Sequence, residues 1–403
     1  MALNSGLKLY FLDTRFCSPS LSDPLPLLST LRHQEQVSIG QFIRAVDRQM
    51  ALAAALLKYV HIHRTAKIPW DEVVISRTSE PHKRPFWDPL TARSYTQTIA
   101  SSRKDAADAV EFNVSHQAGL VALAGCDTIR PPSTIINTGS EDQFLPFHLP
   151  KDRRVGIDIT CVSENSRRPS RIEDLAEFSS WVDIFTDVFS QSEIDDMKTF
   201  TCEPPHTNGK VLFEALVPPY AISSSLGNQP VVAARLRRFY TYFALKEAYL
   251  KMTGEALLAP WLKELEFRNV TSPPEGAEPQ GDQIHSSSAP SFQEDNQEAT
   301  ENNKNPDRLK SEFPTDEWGK TIDDIEVWFR GVQLTNLSVR VVGYRKDFIV
   351  AIVAKGFPEP SEKANNPDIS INQDKESRIL GTAFTRLDIG DIRPCAEGKC
   401  TCL

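Results

Sequence analysis

A carboxylate and an ammonium group stand four residues apart in an aromatic stretch, at Glu247 and Lys251. Read as a helix, residues 239–251 place these two side chains on one face, beside a face rich in Phe and Tyr. With further partners, such a pair could bind a cation through the carboxylate and a phosphate through the ammonium group. Exposed Glu–Lys pairs at this spacing are also common on solvated helices, where each contributes only about 0.2–0.5 kcal/mol. The pair alone therefore leaves a solvated helix and a functional site open.

A second carboxylate, Asp158, lies in an apolar alternation that predicts a strand over residues 154–160. The aliphatic residues would form one side of this strand, and Gly156, Asp158 and Thr160 the other. Because aspartate disfavours strand interiors, Asp158 is either a solvent contact at a strand end or a ligand. Gly156 would let a large group approach the backbone.

A predicted hairpin over residues 110–125, with a tight turn at 117–119, carries Ser115 and His116 near its end. Adjacent residues on a strand point to opposite faces, so these two side chains would make a poor nucleophile and base. A hydroxyl and an imidazole are better suited to contact an anion such as a phosphate.

Together, these stretches resemble motifs of the Sfp-type 4′-phosphopantetheinyl transferases, a family of monomeric enzymes that prime carrier proteins. The family's Asn-x-Ser-His hairpin, Gly-x-Asp strand and Lys-Glu-x-x-x-x-Lys helix stand here, in that order, at 113–116, 156–158 and 246–251. Residues 189–193 are similar to a Phe-Ser-x-x-Glu stretch of the family, and Lys83-Arg84-Pro85 stands where Gly-Lys-Pro is usual.

At one position the chain departs from the pattern of many bacterial members. Many bacterial members carry a second acid two residues after the strand aspartate, where this chain has Thr160. Eukaryotic cytosolic members also lack that acid and have Gln after Ser-His, which makes Gln117 the candidate third contact to a metal, directly or through water. The form that the chain resembles is the broad-range enzyme of filamentous fungi.

The resemblance implies transfer of phosphopantetheine from coenzyme A to a carrier-protein serine, with release of adenosine 3′,5′-bisphosphate. It implies Mg²⁺ held by Asp158 and Glu247, with Glu247 as general base and Lys251 on the pyrophosphate and departing bisphosphate. Ser115 and His116 would bind the 3′-phosphate. Arg44 and Arg48, placed on one face of an N-terminal helix, could equally form a solvated basic stripe. The candidate coenzyme A contacts are Arg44, Arg48, Arg77, Lys83, Arg84, Pro85, Ser115, His116, Lys246 and Lys251.

The carrier proteins implied by the resemblance are those of polyketide synthases, non-ribosomal peptide synthetases and aminoadipate reductase. Two other classes remain as alternatives. A Mg²⁺-dependent coenzyme A or nucleotide pyrophosphatase could use the same acids and lysine, with water in place of the carrier serine. A non-catalytic protein could bind coenzyme A without any reaction.

The order of the elements predicts an α+β fold of two similar halves, related by the family's pseudo-twofold, each a mainly antiparallel sheet packed with helices. We expect halves at 1–152 and 153–357, a disordered acidic insertion at 271–320 and a C-terminal tail at 358–403. The expected elements are strands near 9–12 and 72–77, a helix over 39–59, the hairpin 110–125, a strand at 155–160, helices between 171 and 200, a helix over 235–253 and strands near 262–270, 324–332, 335–343 and 347–354.

Composition and charge argue against nucleic acid and membranes as partners. The 403 residues carry a net charge of −9, most of it in the 11 acids and 4 bases of 271–320, so the nearly neutral remainder gives no reason to expect nucleic acid. The 7 cysteines show no metal-ligand spacing with histidine, and no secretory signal or membrane-spanning run is present, so we expect a cytosolic protein. The chain ends in a formal C-a-a-X box, Cys400-Thr-Cys-Leu, whose second "a" is Cys402 instead of an aliphatic residue.

Overall fold

The computed structural model describes residues 6–15, 25–78, 83–87, 91–92, 109–128, 153–163, 172, 174–200, 229–255, 259–277, 317–357 and 383–403. The helices are α1 His33–Gly40, α2 Ala45–Ala66, α3 Leu175–Asp183, α4 Gln191–Thr199, α5 Gln229–Thr253 and α6 Ile389–Ala396. The strands are β1 Leu7–Asp13, β2 Ile75–Arg77, β3 Pro85–Trp87, β4 Ala109–Gln117, β5 Leu120–Thr128, β6 Arg154–Cys161, β7 Leu265–Arg268, β8 Glu326–Phe329, β9 Val332–Gln333, β10 Leu337–Tyr344, β11 Phe348–Lys355 and β12 Thr385–Arg386.

The first half pairs helix α2 with a sheet in the order β12-β1-β5-β4. Strands β1, β5 and β4 are antiparallel, and the alanine- and leucine-rich α2 buries most of its side chains against them. The β4–β5 turn is confirmed at Ala118 and Gly119, whose φ angles of 47° and 86° are those of a two-residue type I′ hairpin turn. This turn fixes the register of β4, the strand that carries Ser115.

The second half pairs helix α5 with an antiparallel sheet in the order β10-β11-β6. The predicted strand at 154–160 is confirmed as β6. A Cβ atom at Gly156 would lie 1.9 Å from the carbonyl oxygen of Ala248 and 2.6 Å from the amide nitrogen of Met252. The large group that Gly156 admits is therefore helix α5 itself.

An apolar cluster joins the two sheets. Leu9 and Phe11 of β1 and Leu120 of β5 pack in it with Ile157 of β6 and Ile352 of β11. Each half is thus a mainly antiparallel sheet with one long helix, and the predicted α+β class is confirmed.

Several predicted boundaries are wrong. The helix expected over 39–59 is two helices, because α1 ends at Gly40 and the extended backbone of Arg44, with ψ at 134°, starts α2 afresh. Residues 271–277 and 317–320, expected in the disordered insertion, pack against the second sheet, where Gly276 donates to Arg345 and Gly319 to Gly343. Residues 278–316 lie outside the described part of the chain.

The end of the chain returns to the first half. Strand β12 pairs in parallel with β1, and helix α6 lies against α2. Residues 383–403, expected in a C-terminal tail, are therefore part of the N-terminal structural unit. Among the described residues, none of the helices has the length and apolar character needed to cross a membrane.

Candidate active site

Alternate side chains of β4 accept hydrogen bonds from backbone amides of β6, an arrangement that we call the polar ladder. Its bonds run from Val155 N to Glu111 Oε1 at 3.4 Å, Ile157 N to Asn113 Oδ1 at 3.3 Å, Ile159 N to Ser115 Oγ at 3.1 Å and Cys161 N to Gln117 Oε1 at 3.0 Å. Each bond joins residues 44 positions apart, so the two strands run parallel in a fixed register. The ladder satisfies the outward amides of an edge strand and places β4 beside Asp158.

Asp158 is the centre of a buried polar group, the Asp158 cluster, formed with Ser115, Thr160 and Lys251. Its Oδ1 accepts from Lys251 Nζ at 2.6 Å and from Ser115 Oγ at 3.1 Å, while Oδ2 accepts from Thr160 Oγ1 at 2.9 Å. Lys251 Nζ also donates to Ser115 Oγ at 2.9 Å. The side chain of Lys251 is 28% exposed against 8% for Asp158, so the ammonium group lies at the solvent side of the carboxylate.

Helix α5 brings Lys251 to this position at its last turn. The helix ends where Gly254, with φ at +85°, donates its amide to the carbonyl oxygen of Leu250 at 2.8 Å. Asn113 Nδ2 donates to the carbonyl oxygen of Lys251 at 3.3 Å, so β4 also satisfies an acceptor at the helix end. Glu247 is half-buried one turn earlier, on the same face as Lys251.

Lys246, a predicted coenzyme A contact, is placed in the protein interior. It is 0% exposed, forms a 2.9 Å ion pair with Glu193 and donates to the carbonyl oxygens of Leu262 and Leu265. This burial is a correction: it removes Lys246 from the residues that we propose to contact coenzyme A. Burial lowers the pKa of Lys246, and the attraction of the Glu193 carboxylate opposes that shift.

The ion pair between Lys246 and Glu193 gives the Phe-Ser-x-x-Glu stretch at 189–193 a structural role. Ser190 is the N-cap of α4, and Glu193 closes a capping box by accepting from the Ser190 amide at 2.8 Å. The other carboxylate oxygen of Glu193 accepts from the amide of Phe267 at 2.8 Å. Glu193 therefore fastens α4, β7 and α5 together through one buried carboxylate.

The hairpin β2–β3 brings Arg84 to the end of α5. Arg84 forms an ion pair with Glu111 of the polar ladder and donates to the carbonyl oxygen of Met252 at 3.4 Å. Lys83 precedes it with φ at 45°, a conformation that favours glycine, where the resembled family has glycine. Arg77 donates to the Lys83 carbonyl oxygen at 3.1 Å and is itself exposed. Pro85 begins β3 opposite Arg77.

Glu111 lies between two arginines at the start of the ladder. Burial raises the pKa of its carboxyl group, and the charges of Arg84 and Arg154 oppose this shift. The structure thus holds Arg84 within reach of the Lys251 end of α5 through a buried carboxylate that the sequence did not single out.

Ser115 and His116 face opposite sides of β4, as the strand geometry predicts. The Ser115 hydroxyl belongs to the Asp158 cluster, whereas His116 is exposed on the other face. Their joint contact with a 3′-phosphate remains a prediction, with His116 as the member whose side chain reaches solvent.

The arginines of the N-terminal segment lie at the start of helix α2. Arg44 is the exposed N-cap of α2, while Arg48 lies in the first turn and donates to the carbonyl oxygen of Phe42 at 2.9 Å. The Sδ of Met50 accepts from the Gly119 amide at 3.2 Å, which sets this end of α2 beside the hairpin turn. Both arginines remain candidates from this position.

Lys58 is a cation that the sequence reasoning missed. It is half-buried in α2. Burial lowers its pKa against the attraction of Glu35, and the nearby Arg77 guanidinium lowers that pKa further. The sequence offered one signal for this residue: Lys58 is a single lysine within the largely apolar stretch 51–62 of α2.

Comparison with known proteins agrees with this geometry. Residues 17–128 match the N-terminal 4′-phosphopantetheinyl transferase family, and residues 154–301 match the 4′-phosphopantetheinyl transferase superfamily. These ranges contain both long helices and every member of the Asp158 cluster. The chain belongs to the 4′-phosphopantetheinyl transferase superfamily, and its activity is phosphopantetheinyl transfer.

Fungal relatives match almost the whole chain. It is 34% identical to 4′-phosphopantetheinyl transferase A of Aspergillus fumigatus, over 98% of this chain and 96% of that protein. It is 36% identical to 4′-phosphopantetheinyl transferase NpgA of Emericella nidulans, over 98% of this chain and 95% of that protein. The L-aminoadipate-semialdehyde dehydrogenase-phosphopantetheinyl transferase of Rattus norvegicus is 28% identical over 33% of this chain and 40% of that protein.

Proposed function

We propose that this enzyme transfers 4′-phosphopantetheine from coenzyme A to a serine of apo carrier proteins in a Mg²⁺-dependent reaction at the Asp158 cluster. The observation that carries the proposal is the 2.6 Å contact between the Lys251 ammonium and the buried Asp158 carboxylate, with Glu247 one helical turn away. In a member of this superfamily, that arrangement supplies two carboxylates and one partly exposed cation at the meeting of the two halves.

The donor set suits Mg²⁺. Around Asp158, the available groups are the carboxylates of Asp158 and Glu247, the hydroxyl groups of Ser115 and Thr160, and the Gln117 amide oxygen. All are hard oxygen donors, the type that Mg²⁺ prefers, and the bound ion would supply charge neutralisation for the pyrophosphate of coenzyme A. Asp158 and Glu247 would hold the metal.

The roles of Thr160 and Gln117 follow from their hydrogen bonds. Thr160 donates to Asp158 Oδ2 and orients the carboxylate where other family members have a second acid. Gln117 Oε1 accepts from the Cys161 amide at 3.0 Å, which fixes the amide group at the end of the polar ladder. A contact from Gln117 to the metal, direct or through water, remains a prediction.

Glu247 and Lys251 would have separate roles, one in proton transfer and the other in charge stabilisation. Glu247 would accept the proton of the carrier serine, directly or through a water molecule, while Asp158 keeps its hydrogen bonds from Ser115 and Thr160. Lys251 would turn from Asp158 towards the pyrophosphate and stabilise negative charge on the departing adenosine 3′,5′-bisphosphate. Its partial exposure gives the ammonium group room for that movement.

Positive groups beside this centre would bind the rest of coenzyme A. Arg84 lies at the end of α5 through its contacts with Glu111 and Met252, and Arg77 lies on the same hairpin near Lys58. His116, Lys83, Arg48 and Arg44 complete the proposed set, with Pro85 shaping the hairpin.

The proposed carriers are those of polyketide synthases, non-ribosomal peptide synthetases and aminoadipate reductase. Similarity to an aminoadipate-linked relative over a third of the chain supports the last of these. We further propose a monomer that acts in the cytoplasm, without nucleic acid or membrane as partners.

The deciding experiment incubates the full chain with Mg²⁺, coenzyme A and each apo carrier protein, followed by intact-mass analysis of the carrier. We expect a phosphopantetheine adduct on the carrier serine and release of adenosine 3′,5′-bisphosphate only when a carrier is present. Release at the same rate without a carrier would indicate a pyrophosphatase. Binding of coenzyme A without either product would indicate a non-catalytic binder.

A further inference from the structure

A second polar cluster, the cysteine–histidine cluster, joins α2 to the end of the chain. It contains His63 of α2, Cys395 of α6, and Cys400 and Cys402 beyond it. One ligand atom from each residue lies within 4.8 Å of all the others. His63 Nε2 is 3.1 Å from Cys400 Sγ, and the Sγ atoms of Cys395 and Cys402 are 3.7 Å apart.

We propose that these four residues form a structural Zn²⁺ site of the Cys₃His type. Zinc prefers four tetrahedral ligands of this composition, with Zn–S near 2.3 Å and Zn–N near 2.0–2.1 Å. Those bond lengths place two sulfur atoms about 3.8 Å apart and a nitrogen and a sulfur about 3.5 Å apart. The observed distances of 3.7 Å and 3.1 Å differ from these values by only a few tenths of an ångström, and the remaining ligand pairs lie within 4.8 Å.

The imidazole of His63 is held in the tautomer that a metal requires. Its Nδ1 lies 2.7 Å from the carbonyl oxygen of Ile68, a distance at which Nδ1–H donates to that oxygen. Nε2 is then the nitrogen with a lone pair, and it is the atom that faces Cys400. A backbone carbonyl that fixes the second ring nitrogen is a usual outer partner of a zinc-binding histidine.

Nearby cations would balance the charge of the site. Three thiolates and one Zn²⁺ carry a net charge of −1. Arg64 donates towards Cys395 Sγ at 3.7 Å, and Lys67 donates to the carbonyl oxygen of Cys402 at 2.6 Å. A pocket of about 410 Å³ lined by Trp70, Cys400 and other residues opens beside the cluster and gives an ion a path to it.

The site would have a structural role at the C-terminal end of the chain. It would fasten α6 and the last residues to α2, whose other face packs against β4 and β5. No sequence motif signals this site, because His63 and Cys400 are 337 positions apart and the four ligands belong to no local motif. The expectation that the cysteines lack a histidine partner therefore holds along the sequence but not in space.

Zinc ligation excludes the other chemistry that the tail suggests. Cys400 is the cysteine of the C-a-a-X box, and prenylation with removal of the last three residues would consume Cys400 and delete Cys402. A disulfide between Cys395 and Cys402 would likewise remove two ligands. The proposal therefore requires three free thiols at these positions.

The test uses the full chain, expressed with added Zn²⁺ and purified without chelators. Elemental analysis by mass spectrometry should find about one zinc ion per chain. Cys400→Ser and Cys402→Ser should each lower zinc affinity at least about tenfold, measured by competition with a chelator, since changes even in the outer partners of such sites weaken metal binding 10–100-fold. Cys126→Ala, a buried cysteine of β5 outside the cluster, should keep the wild-type zinc content.

A readout without substitution guards against variants that fail to fold. Replacement of zinc by Co²⁺ in the unaltered chain should give the intense visible absorption of tetrahedral cobalt bound by thiolates. A chain without zinc, with another metal in this stoichiometry, or with zinc unaffected by Cys400→Ser would overturn the proposal. So would an intact mass that shows a Cys395–Cys402 disulfide or a prenyl group on the freshly purified protein.

Discussion

The facing edge strands β4 and β6 contribute different groups to the same site. Strand β4 contributes neutral side-chain oxygens from Asn113, Ser115 and Gln117, which accept hydrogen bonds from β6. Strand β6 contributes its backbone amides and the carboxylate of Asp158, and α5 of the same half adds Glu247 and Lys251. The difference teaches that the first half positions the centre, whereas the second half supplies the charges that would react.

The strongest test of this division is Glu247→Gln. Removal of a general base is expected to lower kcat by about 10²–10⁴-fold, because the serine proton then has no acceptor of suitable basicity. Carrier loading followed by mass spectrometry measures the rate. Glu264→Gln, at a partly exposed glutamate paired with Arg330 in the same half, is the matched control and should retain the wild-type rate. Near-normal carrier loading by Glu247→Gln would show that Glu247 is not the general base.

The next test concerns the two charges in direct contact. Asp158→Ala and Lys251→Ala should each lower turnover at least about 10²-fold, as expected when a charge that stabilises the transition state is removed. Lys263→Ala, which changes a half-exposed lysine paired with Asp187, serves as control. If both site variants turn over at the wild-type rate, the centre lies elsewhere.

Asn113→Ala tests the positioning half. The substitution leaves the Ile157 amide and the Lys251 carbonyl oxygen without their partner, so we expect a loss of about 1–3 kcal/mol in the free energy of unfolding. Urea unfolding measures it, with Gln333→Ala at an exposed site of β9 as control. A fall in kcat as large as that of Glu247→Gln, with stability unchanged, would contradict the division.

The smallest effect is expected from an ion pair of the first half away from the reacting groups. Arg15 donates to both oxygens of Asp13, and this interaction holds the pKa of the carboxyl group below 3.8 despite burial. A carboxyl group with a lowered pKa in the folded state stabilises the fold above pH 3.8, and that contribution is lost as the pH falls through the folded-state value. Asp13→Asn should therefore cost roughly 1 kcal/mol at pH 7, and this cost should shrink as the pH is lowered below 3.8. A loss that does not change with pH would show that packing, and not the ion pair, causes the effect.

Local patterns predicted much of the second half. The alternation around Asp158 gave β6, and the aromatic spacing around Glu247 gave α5 with the correct face. The polar ladder escaped prediction because Glu111, Asn113, Ser115 and Gln117 alternate as residues of a solvated strand face would. Only the approach of β6, 44 residues later, turns that face inward.

Contacts distant in sequence account for the remaining errors. Lys246 lies beside Glu247 in the chain, yet the helix turns it towards Glu193 and into the interior. The break in the helix before Ala45 depends on the extended backbone of Arg44, which residue preferences do not predict. The roles predicted for Asp158, Glu247 and Lys251 remain predictions that the proposed experiments test.

Gly156 sets a distance as well as a contact. With only a hydrogen atom between β6 and α5, the backbone of the helix lies against the strand, and the two carboxylates proposed to share one ion are carried on these two elements. A single methyl group at this position would act as a wedge and move the helix outward. The spacing of the acids across the interface is thus governed by a residue that has no side chain to offer to either of them.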